Sequence, residues 1–167
     1  MSLTKAELYS LDGDNYSFTF MYNPTSISIN RKVEVPENNG TTTQEQGIPK
    51  VSFAHPKATT ISIKDIIFDT YEASENRNVG ERVEKLTQTV KFIKDKKRPP
   101  VYIFTWGKIN YLRCYVESVD YQLTLFLPDG TPVRAKASIR LKEVDPYQNL
   151  TNPPSQSANH REIDSRW

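Results

Sequence analysis

"YQLTLFLPDGTPVRAKASIRLKEV", residues 121–144, decides the fold. Val133, Ala135, Ala137, Ile139 and Leu141 alternate with Arg134, Lys136, Ser138 and Arg140, the period of two expected for a half-buried strand. An Asp-Gly turn inside "LPDGTP" separates this run from a β-branched and aromatic run before it, which reads as a hairpin. Strands joined by hairpins lie antiparallel, because a parallel pair needs a crossover of a dozen or more residues.

Working back towards the amino terminus, "VYIFTWGKINYLRCYVESVDYQLTLF" (101–126) is an almost continuous strand reading interrupted at Gly107. Before it, Val79, Val83, Leu86, Val90 and Ile93 recur at spacings of 4, 3, 4 and 3, the stripe of a single amphipathic helix over about 79–95. Asn78 is placed to cap it and Glu81 to complete a capping box. "KDKKR" puts cations at the carboxyl end, and Pro99-Pro100 forbids continuation. "TTISIKDIIFDTY" (59–71) and "KVSFAH" (50–55) read as strands. In "NPTSISINRKV" (23–33), Ile27, Ile29 and Val33 share one face. "AELYSL", the "DGDN" turn and "YSFTFMY" read as a first hairpin.

Two segments do not fit a core. Residues 36–48, "PENNGTTTQEQGI", carry almost nothing apolar and read as a long polar loop able to order against a neighbouring subunit. Residues 148–167 are rich in Pro, Ser and Asn and read as a tail or linker. The expectation is therefore one domain over 1–147, of mostly β (α+β) class: an antiparallel β-barrel or sandwich with one flanking helix.

Composition narrows the function. Twenty-two basic residues stand against 20 acidic ones, a near balance that speaks against a dedicated nucleic-acid binder. Mean hydropathy is −0.63 while 9 Tyr and 7 Phe are present, which suits a protein that completes its burial against partners. No leader pattern and no apolar run long enough to span a bilayer is present, so the chain is expected to be made in the cytoplasm and not to insert into a membrane.

Reaction chemistry is sparse. His55 precedes a proline and His160 lies in the tail, with no second imidazole at ligand spacing. Cys114, the single cysteine, reads as a small buried apolar residue in a strand, and an internal disulfide is excluded. Asp65, Asp69, Glu72 and Glu75 lack the glycine and bidentate glutamate of a calcium loop and read as a solvated acidic rim. No phosphate loop, dinucleotide fingerprint or nucleophile elbow occurs. The expectation is no enzyme, no cofactor, no metal and no small-molecule substrate.

The motif order carries more. "MYNP" (21–24), "IIFDTYE" (66–72), "RPP" (98–100), "IFTWG" (103–107) and the opening stretch together resemble the tube-type domain of contractile injection systems, phage-tail-like particles. The resemblance implies a small β-barrel with a flanking helix, six copies of which form a ring around a channel. By implication Asn23, Pro24, Phe68, Asp69, Pro99, Pro100, Trp106, Gly107, Asp129, Gly130, Thr131, Pro132 and Arg134 are structural signatures rather than catalytic residues. Arg134, Lys136 and Arg140, with Glu45 in the polar loop, are candidates for the ring interface or the lumen.

Within that family the motifs are most similar to the tube initiator, the adaptor between spike and tube. Such adaptors often carry a LysM-type module after a Pro/Ser-rich linker; here the linker "TNPPSQSANH" (151–160) is present, and the sequence stops at Trp167 with no such module. The resemblance implies partners in a homo-hexamer, the spike, inner-tube proteins and the baseplate, in a particle acting outside the cell or membrane-anchored through other components. A main inner-tube subunit that stacks on itself is the alternative within the family. An alternative of another class is a nucleic-acid-binding barrel, in which Trp106, Tyr111 and Tyr115 interleave with Lys108 and Arg113.

Overall fold

The computed structural model describes residues 2–35 and 55–145. The polar loop, Glu45, most of "KVSFAH", His160 and the tail lie outside the described residues. Seven strands form one antiparallel sheet in the order β2-β1-β5-β6-β7-β4-β3, curled into a half-barrel. They are β1 (Ala6–Ser10), β2 (Phe18–Thr19), β3 (Ser28–Asn30), β4 (Thr60–Asp69), β5 (Tyr102–Trp106), β6 (Ile109–Phe126) and β7 (Pro132–Glu143).

The hairpin read from the opening stretch is the spine of the sheet. Leu127 N donates to Thr131 O at 2.8 Å and Gly130 N to Leu127 O at 2.9 Å, which closes the turn. Gly130 has φ 87, a left-handed conformation that a residue with a Cβ adopts only at a cost. At the β5–β6 turn Gly107 has φ 65 at the first of two central positions, where a two-residue hairpin calls for glycine. The even-numbered residues Arg134, Lys136 and Arg140 face outward, while Val133, Ala135, Ala137, Ile139 and Leu141 are buried.

The core fills the concave side of the curl. Leu8, Phe20, Phe68, Tyr102, Phe104, Ile61, Ile63 and Ile66 are fully buried, each contributing on the order of 1.5–3 kcal/mol. Phe18 packs edge-on to Phe20 and Phe68, and Phe20 to Phe104, with ring centroids 5.3–6.3 Å apart. Helix α1 (Gly80–Thr87) closes this side with Val83 and Leu86 buried.

The helix is shorter than the spacing predicts. Helical dihedrals begin at Val79, and Asn78 Oδ1 accepts the Gly80 amide at 2.8 Å, as expected of a cap. Glu81, however, accepts from the Asn76 side chain at 2.6 Å. After Thr87 the chain tightens into a 3-10 turn over Gln88–Val90, where the Thr89 hydroxyl donates to Leu86 O at 2.6 Å, and Lys91 is extended. Residues 91–98 then leave the helix axis because a tertiary ion pair outweighs the apolar stripe. Buried Asp12 accepts from Arg98 Nη1 and Nη2 at 2.8 and 2.9 Å, from the Val101 amide at 2.8 Å, and from Lys96 Nζ. The cations read as partners of the helix dipole thus serve a buried carboxylate.

The period-two reading of 23–33 also needs correction. Ile27 packs against the core, but β3 is only three residues long and sits at the sheet edge, leaving Ile29 and Val33 exposed.

Candidate functional site

The outward face of β7 carries a ladder of cations, and within the same protomer each finds a carboxylate. Arg134 is directly opposite Asp69 on β4, its Nη2 at 2.6 Å. Lys136 Nζ lies 3.1 Å from Asp65. Arg140 Nε lies 2.9 Å and Lys142 Nζ 3.7 Å from Glu117 on β6.

Two bulges supply the partners of Lys136, Arg140 and Lys142. Between Ile63 and Ile66 the β4–β7 register shifts, with Asp65 at φ 56; between Val116 and Ser118 the β6–β7 register shifts around Glu117. An extra residue re-aims its side chain. Each bulge therefore delivers a carboxylate to the strand between them. The exposed pairs each contribute about 0–1 kcal/mol, so they order the surface more than they stabilise it.

The Glu117 bulge also changes which residues of β6 face inward. Leu112, Cys114 and Val116 are buried; beyond the bulge Tyr121 and Leu123 are paired with Ala137 and Ala135 on the apolar face, yet are 50% and 38% exposed. The apolar face thus runs past the protomer's own core. Strand β5 covers only Ile109–Cys114, so among the described residues Tyr115–Phe126 of β6 has a strand neighbour, β7, on one side only. Likewise β3 covers β4 only at Thr60–Ser62, leaving Ile63–Asp69 with β7 alone. Unpaired backbone edges beside uncovered apolar side chains are strand-docking surfaces.

The signature residues take up framing positions. Asn23 accepts the Ala6 amide at 2.9 Å and donates to Thr4 O at 2.8 Å, and Pro24 is buried beside it. Phe68 is in the core; Asp69 accepts from Arg134 and from the Tyr71 amide at 3.0 Å. Pro99 and buried Pro100 lie between Arg98 and Val101, the two donors to Asp12. Trp106 packs partly buried against the core. Asp129 Oδ1 accepts the Thr131 amide at 2.9 Å, and Pro132 O accepts the Val79 amide at 2.9 Å, which ties the helix to β7.

Of the three aromatics in the nucleic-acid alternative, Trp106 and Tyr111 pack against the core. Tyr111 stacks on Phe104 with centroids 5.4 Å apart. Cys114 is buried and burial pushes its thiol up to about 12, far from nucleophilic use. Asp65 and Asp69 are engaged by cations; among the described residues no cluster of three or more His, Cys, Asp or Glu is arranged to hold a metal. Among the described residues no helix is long and apolar enough to cross a membrane.

Sequence reading missed the Asp12 clamp, whose partners lie 84–89 residues away. It also missed a cationic groove of about 650 Å³ lined by Lys32, Lys57, Arg140 and Lys142, which three different strands or their flanks bring together.

Residues 2–152 match the family described as contractile injection system tube protein, and the chain belongs to that family. No curated protein matches it. The family is one of structural tube components, not a class of enzymes.

Proposed function

We propose that this chain, a structural component of a contractile injection system, forms the hexameric ring that joins spike and baseplate to the inner tube and initiates tube assembly. The motif pattern between residues 21 and 144 supports the initiating role. The observation that carries ring formation is the pair of uncovered edges, Tyr115–Phe126 on β6 and Ile63–Asp69 on β4.

The two edges lie on opposite sides of β7, so the β6 edge of one copy can meet the β4 edge of the next. Both strands run antiparallel to β7 and hence parallel to each other, and rotation about a ring axis that runs near the strand direction keeps them so. The junction is therefore a parallel pairing that covers Tyr121 and Leu123. A heterologous contact of this kind closes into a ring when its rotation divides a full turn. The ring assembles in the cytoplasm, where the chain is made, on a spike template.

Co-purification with the spike protein tests the reading, with particle mass and electron microscopy as readouts. Six copies seated on the spike are expected. Rings that form but do not seat on the spike would favour the main-tube alternative, which the family's own description as tube protein also accommodates. A chain that remains monomeric with the spike present would overturn both.

A further inference from the structure

The groove beside β3 has no part in the ring junction. Its floor is the outward face of the sheet, with Asn30 and Lys32 on one side, Ser62 in the middle and Arg140 and Lys142 on the other, and Lys57 above. Glu34 pairs with Lys57 at 3.2 Å and Glu117 with Arg140 and Lys142, so four cations are opposed by two carboxylates. Among the described residues, an excess positive charge of about two units remains on this strip.

Among the described residues the edge next to this strip has no strand neighbour on its outer side. β3 ends the sheet, and residues 32–34 continue its ladder: Lys57 N donates to Lys32 O at 2.8 Å and Glu34 N to His55 O at 3.0 Å. Among the described residues nothing pairs with the outer side of 28–34. Side chains alternate along it. By alternation Asn30 and Lys32 lie on the groove side, while Ile29 and Val33, 47% and 59% exposed, lie on the opposite side with Arg31 between them.

We infer that the 28–34 edge docks an extended segment of another protein whose acidic and aliphatic residues alternate. Added as an antiparallel or parallel eighth strand, such a segment turns every second side chain towards Lys32 and Lys57 and the intervening ones onto Ile29 and Val33. Backbone pairing supplies affinity, and the two-sided code supplies selectivity. A nucleic acid satisfies the cations but has nothing for Ile29 and Val33, and among the described residues no aromatic ring lines the groove for base stacking. An acidic strand is therefore the occupant. This deepens the structural reading by giving the ring a second, separate attachment for a neighbour in the particle.

The test uses fluorescent peptides and the full chain in fluorescence anisotropy at low salt. The alternating peptide Glu-Val-Glu-Ile-Glu-Val-Glu is compared with its reordered isomer Glu-Glu-Val-Ile-Val-Glu-Glu and with a short oligothymidylate of similar charge. The alternating peptide is expected to bind about tenfold or more tightly than the isomer. Lys32→Glu should weaken it about tenfold, and Val33→Asp comparably; both residues are exposed, so circular dichroism should show the fold intact. Equal affinity for the two isomers reduces the groove to general charge attraction and overturns the proposal, as does tighter binding of the oligonucleotide or no peptide binding at all. Ring formation is measured separately by particle mass with the spike, so failure here and failure of the ring reading are distinguishable.

Discussion

Arg134 and Asp69 sit directly opposite each other on β7 and β4, and both the Nε and Nη2 of Arg134 donate to a single carboxylate oxygen, at 2.9 and 2.6 Å. The other oxygen accepts the Tyr71 amide, and that bond together with Arg134 holds the Asp69 carboxyl below its ordinary range. The pair is solvent-exposed on the arginine side. Arg134→Ala should therefore shift monomer stability by no more than about 1 kcal/mol. Urea unfolding of the isolated chain checks this; a loss well above that value would mean the ladder is a stability element rather than a surface-ordering one.

Asp12 behaves oppositely, because its side chain is only 3% exposed. Burial alone would raise its carboxyl, but hydrogen bonds from Arg98, Lys96 and the Val101 amide outweigh this and hold it far below the usual carboxylate range. A depressed folded-state value means stability that is complete above the unfolded value and lost as pH falls towards the folded one. Asp12→Asn should cost about 3 kcal/mol at neutral pH, the low end for a broken buried pair, since Lys96 keeps access to water. The gap between the two proteins should stay constant down to about pH 5 and shrink below it. Denaturant midpoints across pH 2.5–7 would reveal a flat gap if the clamp were unimportant.

Tyr102 is fully buried, and among the described residues its hydroxyl has no hydrogen-bond partner. Burial, reinforced by Asp12, raises its phenol above the ordinary value. An unpaired buried hydroxyl costs about 1–3 kcal/mol, so Tyr102→Phe should leave stability unchanged or raise it by about 1 kcal/mol. Thermal unfolding distinguishes this from a hidden polar contact, for which the same change would lower the midpoint.

Leu123 and Tyr121 continue the apolar face beyond the core. Leu123→Lys and Tyr121→Lys should change monomer stability by less than about 1 kcal/mol while abolishing ring formation, since a lysine on an exposed edge opposes strand docking. Particle mass in the presence of spike reads the second effect. Rings that survive both substitutions would place the junction elsewhere.

Cys114 is buried on β6, and its thiol is pushed up to about 12 by burial. At pH 8 a disulfide-forming reagent should label the native chain only as fast as it unfolds, and denaturant should accelerate labelling. Rapid labelling of the folded chain would show that β6 opens locally at the register it shares with Tyr102.

Periodicity carried what depends on neighbours in the chain. The alternation of Val133 to Leu141 placed Arg134, Lys136 and Arg140 outward, and the Asp-Gly turn set β6 against β7, because side-chain direction in a strand is fixed locally. The same argument overextended the helix to residue 95 and would have buried Ile29. In both places a distant contact, or the lack of one, decides: Asp12 pulls the 91–98 segment away, and β3 reaches the edge before anything covers it.

The candidate surface divides in the same way. That β7 presents cations was legible in the sequence, but not whether their carboxylate partners lay in the same copy or the next. Two bulges settled this within the protomer, at positions no hydrophobic pattern marks, because a bulge breaks the pattern it would be read from. The groove, the Asp12 clamp and the free edges are products of tertiary structure alone: each joins backbone segments tens of residues apart, whose meeting depends on how far each strand extends past its neighbour. Sequence determined the strands and their faces; the unequal overlap of those strands determined which faces were left open for a partner.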